Sequence, residues 1–209
     1  MIRIMLVDDH AVVRAGVRRL LEQDARYVVV AEAASGELAY QQYGKYLPDI
    51  TVIDLSMPGI GGMEAISRIK VRYPSAKLLV LSMHENAAFA SQALKAGASG
   101  YLSKNGLAEE LVGALEQIAN GQTYINASIT KQMTQQFLNA IENPLQILSA
   151  REFEIFRLLA EGVDGIEIGR KLNISSKTVA NYQTSIKQKL GLQNSVELVR
   201  LAMRCGLIS

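Results

Sequence analysis

Cysteine is almost missing from this chain: Cys205 stands alone among 209 residues, so no disulfide can close within it. That excludes a disulfide-stapled secreted scaffold and sets the expectation of a cytoplasmic protein. Long hydrophobic runs are missing too, since nothing approaches the roughly 20 apolar residues a membrane span needs. The first apolar stretch, Ile2–Val7, stops at Asp8 and Asp9, which is not the pattern of a secretory signal. No membrane partner is therefore expected. An excess of one charge is lacking as well, with 22 basic against 20 acidic side chains, and no internal repeat is visible.

What is present is apolar material and regular patterning. Hydrophobic residues make up 49% of the chain, enough for a core and too much for disorder. The length suits two domains. The small charge excess is uneven: from Leu145 onward there are nine Lys and Arg against six Asp and Glu. Such a bias is compatible with nucleic-acid binding by the C-terminal part without establishing it.

Over the first 120 residues two patterns alternate. Runs rich in Val, Ile and Leu at Ile2–Val7, Val28–Ala31, Ile50–Ile53, Leu78–Leu81 and Gly100–Leu102 predict strands buried on both faces. Between them lie helical stripes such as Val13, Val17, Leu20 and Leu21, and Leu107, Leu111, Leu115 and Ile118. The alternation predicts an α/β fold, a flavodoxin-like doubly wound five-stranded parallel sheet in the order 2-1-3-4-5. From Gly121 to Leu148 the strand signal vanishes, and this polar stretch is expected to be a linker with a short helix around Thr130–Ile141. Four short helices follow in a small all-α domain. Their starts are marked by Ser149 with Glu152, Asp164 with Glu167, Asn194 with Glu197, and Ser175 or Ser176. Leu148 and Phe153 are spaced for a hydrophobic staple. The expected division is 1–120, a linker at 121–147, and 148–209.

The polar residues that interrupt the strand runs carry the chemistry. Asp8 and Asp9 follow the first strand, Asp54 ends the third, Ser82 follows the fourth and Lys104 the fifth. All stand at the carboxyl edge of the sheet, where open α/β folds bind ligands. Three carboxylates brought together repel unless a cation joins them, and an all-oxygen, highly charged set suits Mg2+. A carboxylate beside such an ion can act as nucleophile on phosphorus, with a Lys ammonium and a hydroxyl neutralising the transferred group. Taken singly, each residue has an ordinary reading: a helix cap, a surface lysine, a loop hydroxyl. Four features at the correct strand ends and in order outweigh those readings.

These residues, in Leu6-Val7-Asp8-Asp9-His10, Asp54-Leu55-Ser56-Met57-Pro58-Gly59, Leu81-Ser82 and Tyr101-Leu102-Ser103-Lys104, resemble the receiver domain of two-component response regulators. The resemblance implies that Asp54 is the phosphoacceptor. It implies Mg2+ ligation by Asp9, Asp54 and the Ser56 backbone carbonyl, with Asp8 acting through a bound water. Lys104 would contact the phosphoryl group. Ser82 and Tyr101 would form the switch, the hydroxyl moving toward phosphate and the ring turning inward. Ser56 and His84, two residues beyond the phosphoacceptor and the switch serine, would tune dephosphorylation. Asn105 stands where many receivers have proline, and Gly61 where an acidic residue is common.

In the C-terminal part, Asp164–Leu172, the turn Asn173-Ile174-Ser175 and Ser176–Leu190 predict helix, turn, helix. Val179, Ile186 and Leu190 form the core stripe, with Tyr182 at its edge. The opposite face carries Lys177, Thr178, Ala180, Asn181, Thr184, Lys187 and Gln188, residue types suited to a major groove. Lys177, Lys187 and Lys189 are the expected phosphate contacts. Leu148-Ser149-Ala150-Arg151-Glu152, Glu161-Gly162, Glu167-Ile168, Thr178-Val179 and Lys189-Leu190 resemble the LuxR-type helix-turn-helix of NarL/FixJ-class regulators. Ala180, Gly165 and Gly169 depart from that pattern, where a basic residue, a polar residue and Ala are usual. The last helix, around Ser195–Cys205, resembles the family's dimerisation helix, making Leu198, Leu201 and Cys205 candidate contacts.

The resemblance implies a phosphorylation-controlled transcription regulator, not an enzyme beyond its own phosphorylation and slow autodephosphorylation. Its partners would be a sensor histidine kinase, double-stranded promoter DNA, RNA polymerase and, once phosphorylated, a second copy of itself. Two alternatives remain at this point. One is an aspartyl-phosphate phosphatase, although that class needs Asp-x-Asp where this chain has Asp8-Asp9-His10. The other is an interaction protein whose helical domain binds protein rather than DNA.

Overall fold

The computed structural model describes residues 1–138 and 143–208. Strand and helix alternate through β1 (Ile2–Val7), α1 (Ala11–Leu21), β2 (Tyr27–Ala33), α2 (Gly36–Tyr46), β3 (Ile50–Asp54), α3 (Gly61–Arg72), β4 (Leu78–Ser82), α4 (Ala87–Ala96), β5 (Gly100–Ser103) and α5 (Leu107–Ala119). The central strands β3, β4 and β5 are buried along their whole length, which is why they read as continuous apolar runs. Edge strand β2 alternates buried and half-buried positions instead.

The sheet is parallel throughout, in the order β2-β1-β3-β4-β5-β6. Its first five strands follow the expected order, and the sixth corrects the expectation of five. Strand β6 (Tyr124–Ile125) lies in the stretch expected to be linker and pairs Gly100 with Tyr124 and Tyr101 with Ile125. Two residues are too few to show a period, so no pattern could announce it. It covers the edge of β5 that would otherwise be unpaired. Helix α6 (Ala127–Leu138) follows; it starts three residues earlier than expected, and its expected end at Ile141 lies outside the described residues. Gln132 of α6 accepts from the amide of Ala87 and donates to the carbonyl of Glu85, tying α6 to the start of α4.

Four helices complete the chain: α7 (Ala150–Ala160), α8 (Gly165–Leu172), α9 (Ser176–Leu190) and α10 (Ser195–Arg204). Their caps are those the sequence suggests. Ser149 and Glu152 close a reciprocal capping box, Asp164 accepts from the amides of Ile166 and Glu167, Ser175 from Thr178, and Asn194 from Glu197. Leu148 and Phe153 are both buried in one cluster.

Two apolar layers cover the sheet. One joins α1 and α5 to the strands through Leu6, Val17, Leu21, Val52, Leu111 and Leu115. The side chain of Leu107, expected in the same stripe, lies outside the described ones. The other joins α2, α3 and α4 and continues without a break into the helical domain through Leu145, Phe153, Phe156, Ile168 and Val179. Helix α4 also holds the segment before α7: Gln92 donates to the carbonyl of Leu145, and Lys95 to those of Gln146 and Leu148.

Candidate functional site

Strand register brings the acidic residues together. Val7 pairs with Ile53, so Asp8, just past β1, and Asp54, the last residue of β3, emerge side by side. Lys104, just beyond β5, reaches across: its Nζ lies 2.7 Å from Asp8 Oδ2 and 3.1 Å from Asp54 Oδ1. Only 3% of the Asp54 side chain is exposed. Burial pushes the Asp54 carboxyl above the usual carboxylate range; Lys104 opposes that push and Asp8 adds to it. Burial works against the charge of Lys104, but the two carboxylates prevail and hold its pKa above the usual value. The ammonium is thus fixed in place as the counter-charge of the pair.

Asp9 is half-buried, and its Oδ1 has no hydrogen-bond partner among the described residues; His10 Nδ1 lies 3.0 Å away but outside hydrogen-bonding geometry. An orphaned, enclosed carboxylate oxygen beside Asp8 and Asp54 fits a hard divalent cation. Arg14 was not singled out by sequence, yet its Nη1 donates to the Asp8 carbonyl at 2.6 Å while Glu32 holds its Nε. It fixes the backbone from which Asp8 and Asp9 project, and no local pattern announces it.

The expected switch residues lie on the neighbouring strands. Ser82 is fully buried and its Oγ accepts from the amide of His84 at 3.1 Å. Tyr101 is also fully buried, its hydroxyl donating to the His84 carbonyl at 2.8 Å, so the inward ring position is the one observed. Ser56 Oγ lies 3.4 Å from His84 Nε2. The loop after β4 is pinned by Glu85, which accepts from Ser103 Oγ at 2.6 Å and from Asn105 Nδ2 at 3.0 Å. The Lys104–Asn105 peptide, like every described peptide bond, is trans.

The helical domain sits on the loop that follows Asp54. Arg151 Nη1 donates to the Gly59 carbonyl at 3.0 Å, and the Gly59 amide donates to the Lys171 carbonyl at 2.9 Å. Glu154 rests against Gly61, where an added Cβ would stand 2.6 Å from its Oε1. Beside them His84 stacks on Phe89 at 4.0 Å, and Phe89 meets Phe153 edge-on at 5.3 Å. At the far end of the contact, Asn86 Nδ2 donates to the Gly206 carbonyl at 2.5 Å.

Helix α9 presents the expected face. Lys177, Ala180, Asn181, Thr184 and Gln188 are exposed, and Thr178 and Lys187 are partly so. Three sequence expectations change. Lys189 is bound to Glu152 at 2.7 Å and so braces α7 against α9 instead of standing free for a phosphate. Leu198 and Leu201, expected at a dimer contact, are 2% and 5% exposed inside the domain's own core, and Cys205 is half-buried. An apolar helix stripe fits either destination, and here the small domain needs it. The apolar residues of α10 that do face outward are Val196 and Met203. Gly169, which departs from a family pattern where Ala is usual, has a steric reason: a Cβ there would stand 2.8 Å from the Ile174 carbonyl oxygen, in the turn leading into α9.

Residues 4–116 match the response regulator receiver domain family, and residues 146–202 match the luxR family of bacterial regulatory proteins. The chain is 39% identical over 209 residues to the response regulator UvrY of Escherichia coli strain K12, covering 99% of this chain and 96% of UvrY. It is 38% identical over 215 residues to the oxygen regulatory protein NreC of Staphylococcus epidermidis, covering 99% of each. Among solved structures, RcsB of Salmonella enterica serovar Typhimurium, bound to promoter rprA in the presence of phosphomimetic BeF3−, superposes with a TM-score of 0.70. That match has 30% identity and covers 96% of this chain and 97% of RcsB. Among the described residues no helix is long and apolar enough to cross a membrane.

Proposed function

The chain belongs to the response regulators of the NarL/FixJ class, transcription regulators that join a receiver to a LuxR-type DNA-binding domain, and from that premise we propose that a sensor histidine kinase controls it through Asp54. The observation that carries this is the convergence of Asp8, Asp54 and Lys104 at the sheet's carboxyl edge. An Asp54 carboxylate oxygen attacks the phosphorus of a phosphohistidine. The P–N bond breaks, its electron pair stays on the imidazole, and an acyl phosphate forms. Lys104 supplies a fixed positive charge to the phosphoryl oxygens, at no cost of reorganisation. Ser82 stands one strand away, its hydroxyl free to turn from the His84 amide toward the phosphoryl group.

Mg2+ would be held by Asp8, Asp9, Asp54 and the Ser56 carbonyl, and when bound it neutralises charge on the transferred group. The group stays on Asp54 until slow hydrolysis, so the site stores a phosphoryl group rather than turning over a substrate. His84 and Ser56 line the approach and tune that hydrolysis. The same proposal divides the chain into receiver (1–120), a connecting segment (121–147) that adds β6 to the receiver's sheet and packs α6 beside α4, and DNA-binding domain (148–209). It assigns base contacts to Thr178, Ala180, Asn181, Thr184 and Gln188, and phosphate contacts to Lys177 and Lys187. The phosphorylated chain acts as a dimer on paired half-sites in the cytoplasm, with RNA polymerase as a further partner.

The test uses the full chain with a small-molecule phosphodonor and Mg2+. Intact mass reads phosphorylation, and capture of genomic DNA fragments at physiological salt reads binding. Selective enrichment of a two-fold symmetric site that Asp54→Asn no longer strengthens on treatment is the expected result. An undiminished response in Asp54→Asn refutes the role of Asp54. A folded, phosphorylated chain that enriches no fragment leaves protein as the partner of the helical domain, because DNA binding must weaken steeply with salt and such a contact need not.

A further inference from the structure

Lys104 carries the counter-charge of the site, yet the residue after it does little by itself to fix it. Many receivers have proline in that place, whose ring sets the backbone angle; Asn105 leaves that angle free. The turn is held from another loop instead. Glu85, in the loop after β4, presents one carboxylate oxygen to both chain neighbours of Lys104. Its Oε1 accepts from Ser103 Oγ at 2.6 Å and from Asn105 Nδ2 at 3.0 Å. The Asn105 amide donates in turn to Ser103 Oγ at 3.2 Å, closing a ring of hydrogen bonds around the backbone of the lysine.

The ring is anchored on both sides. Ser103 ends β5, is 1% exposed, and pairs with Ser82 on β4. Gln132 of α6 donates to the Glu85 carbonyl at 3.1 Å, so the backbone that carries the carboxylate is held as well. The bonds from Ser103 and Asn105 keep the Glu85 carboxyl below its usual range, so it is ionised at neutral pH and those bonds are charge-assisted. From this turn the Lys104 side chain, 12% exposed, runs to Asp8 Oδ2 at 2.7 Å and to Asp54 Oδ1 at 3.1 Å. A long, flexible lysine stem delivers a preorganised charge only where it starts from a fixed point. One carboxylate that holds the residues on either side of it supplies that point.

We propose that Glu85 is a positioning residue for Lys104: its carboxylate, bonded to Ser103 and Asn105, does for this lysine turn what proline does in many receivers, and so sets how fast Asp54 accepts a phosphoryl group. This rests on the reading of Asp54 as phosphoacceptor and Lys104 as its electrostatic partner. Glu85 meets neither the reacting atoms nor the metal-binding carboxylates, and acts through Lys104 alone.

Two measurements on the full chain test it. The first is the rate of phosphorylation by acetyl phosphate at saturating Mg2+, read by intact mass; the Asp54 oxygen bonds to phosphorus and acetate leaves as the P–O bond breaks. Glu85→Ala should react about tenfold more slowly, the order of loss expected of a misplaced charge. Glu85→Gln keeps an oxygen that accepts both bonds, so it should stay within a factor of about three of the wild-type chain, losing only the charge assistance. In a Lys104→Ala background Glu85→Ala should cost nothing further, because the residue it positions is gone. The second is reductive methylation of lysines without any phosphodonor, read by mass in peptic fragments. Lys104 should label severalfold faster in Glu85→Ala, while exposed Lys45 is unchanged and circular dichroism shows both chains folded. Equal labelling of Lys104 overturns the positioning. Equal phosphorylation rates overturn its part in the transfer. A Glu85→Gln chain as slow as Glu85→Ala, or an undiminished loss in the Lys104→Ala background, overturns action through placement of the lysine. A wild-type chain whose mass does not change overturns the phosphoacceptor reading and the rate claim with it, while the labelling of Lys104 still decides the hold.

Discussion

Placing a methyl on Gly61 is the most direct perturbation of the domain contact. Gly61→Ala carries two separable costs. The backbone at φ +69° is left-handed, which costs an L-residue about 1–2 kcal/mol wherever its neighbours are. The new Cβ would also stand 2.6 Å from Glu154 Oε1 and 3.2 Å from its Cδ, inside the 3.4–4 Å of ordinary contact. The carboxylate must then swing away from Arg151, which donates to it at 2.9 Å. Relieving that overlap disturbs a buried pair, for which coupling energies of about 0.5–3 kcal/mol are usual. Gly61→Ala alone should therefore cost about 1.5–5 kcal/mol of the docked arrangement. In a Glu154→Ala background only the backbone cost of about 1–2 kcal/mol should remain. Thermal unfolding of the four chains of this cycle, with hydrogen exchange of the Gly59 amide as the docking readout, gives the coupling. Additive effects of the two substitutions would refute the idea that Glu154 fills the place of a side chain at 61.

Three further outcomes are expected. Glu152 is driven upward by burial, but Lys189, the Ser149 amide and Ser185 hold its pKa down at about 2, below the usual 4.5. Its contribution to stability is complete above about pH 4.5 and is lost as pH falls through 2. It amounts to about 2 kcal/mol once the exposure of Lys189 is discounted, and acid unfolding of Glu152→Gln should be shallower over that window. Lys177→Ala should weaken binding to all DNA sequences alike and lower the salt slope of log K by about one, measured by titration at several salt concentrations; an altered sequence preference would contradict a phosphate role. Gly169→Ala should lower the melting temperature although alanine favours helix by about 1 kcal/mol, because its Cβ would meet a backbone oxygen, Ile174 O, at 2.8 Å; a raised melting temperature would show that the turn can yield.

Much of the receiver was legible in order along the chain, for a physical reason. In a parallel sheet every strand delivers its last residue to the same edge, so Asp8, Asp54, Ser82 and Lys104 could be brought together from strand ends alone. The caps of α7 to α10 were legible because capping is local. What was hidden depended on distant partners. Arg14 reads as an ordinary helix arginine until its bond to the Asp8 carbonyl is seen. Arg151 and Glu154 sit in a capping pattern that explains Ser149 and Glu152 and says nothing about the loop they grip. Gly61 and Gly169 were visible as departures, but each is explained by an atom far from it in local pattern: a carboxylate of another domain, or a carbonyl across a turn. Leu198 and Leu201 show the converse limit, since apolar spacing on α10 does not separate a domain core from a dimer contact.

The docked arrangement also constrains how regulation can work. Lys177, Ala180, Asn181, Thr184 and Gln188 are exposed while α7 grips the receiver, so the receiver does not mask the face proposed to contact DNA. Control must act on where that face is carried. Arg151 and Gly59 anchor one side of the helical domain, and the Asn86–Gly206 bond ties the end of α10 to α4. With hydrogen bonds worth about 1 kcal/mol each and the Phe89–Phe153 contact about 1 kcal/mol more, docking is stronger than a typical coupling of about 1–3 kcal/mol. Inverting a strongly biased equilibrium takes about 5.5 kcal/mol. On the reading proposed for Asp54, one phosphoryl group would therefore loosen the domain without freeing it. On that reading the remaining free energy would come from a second copy and paired half-sites, which bind only the rearranged form.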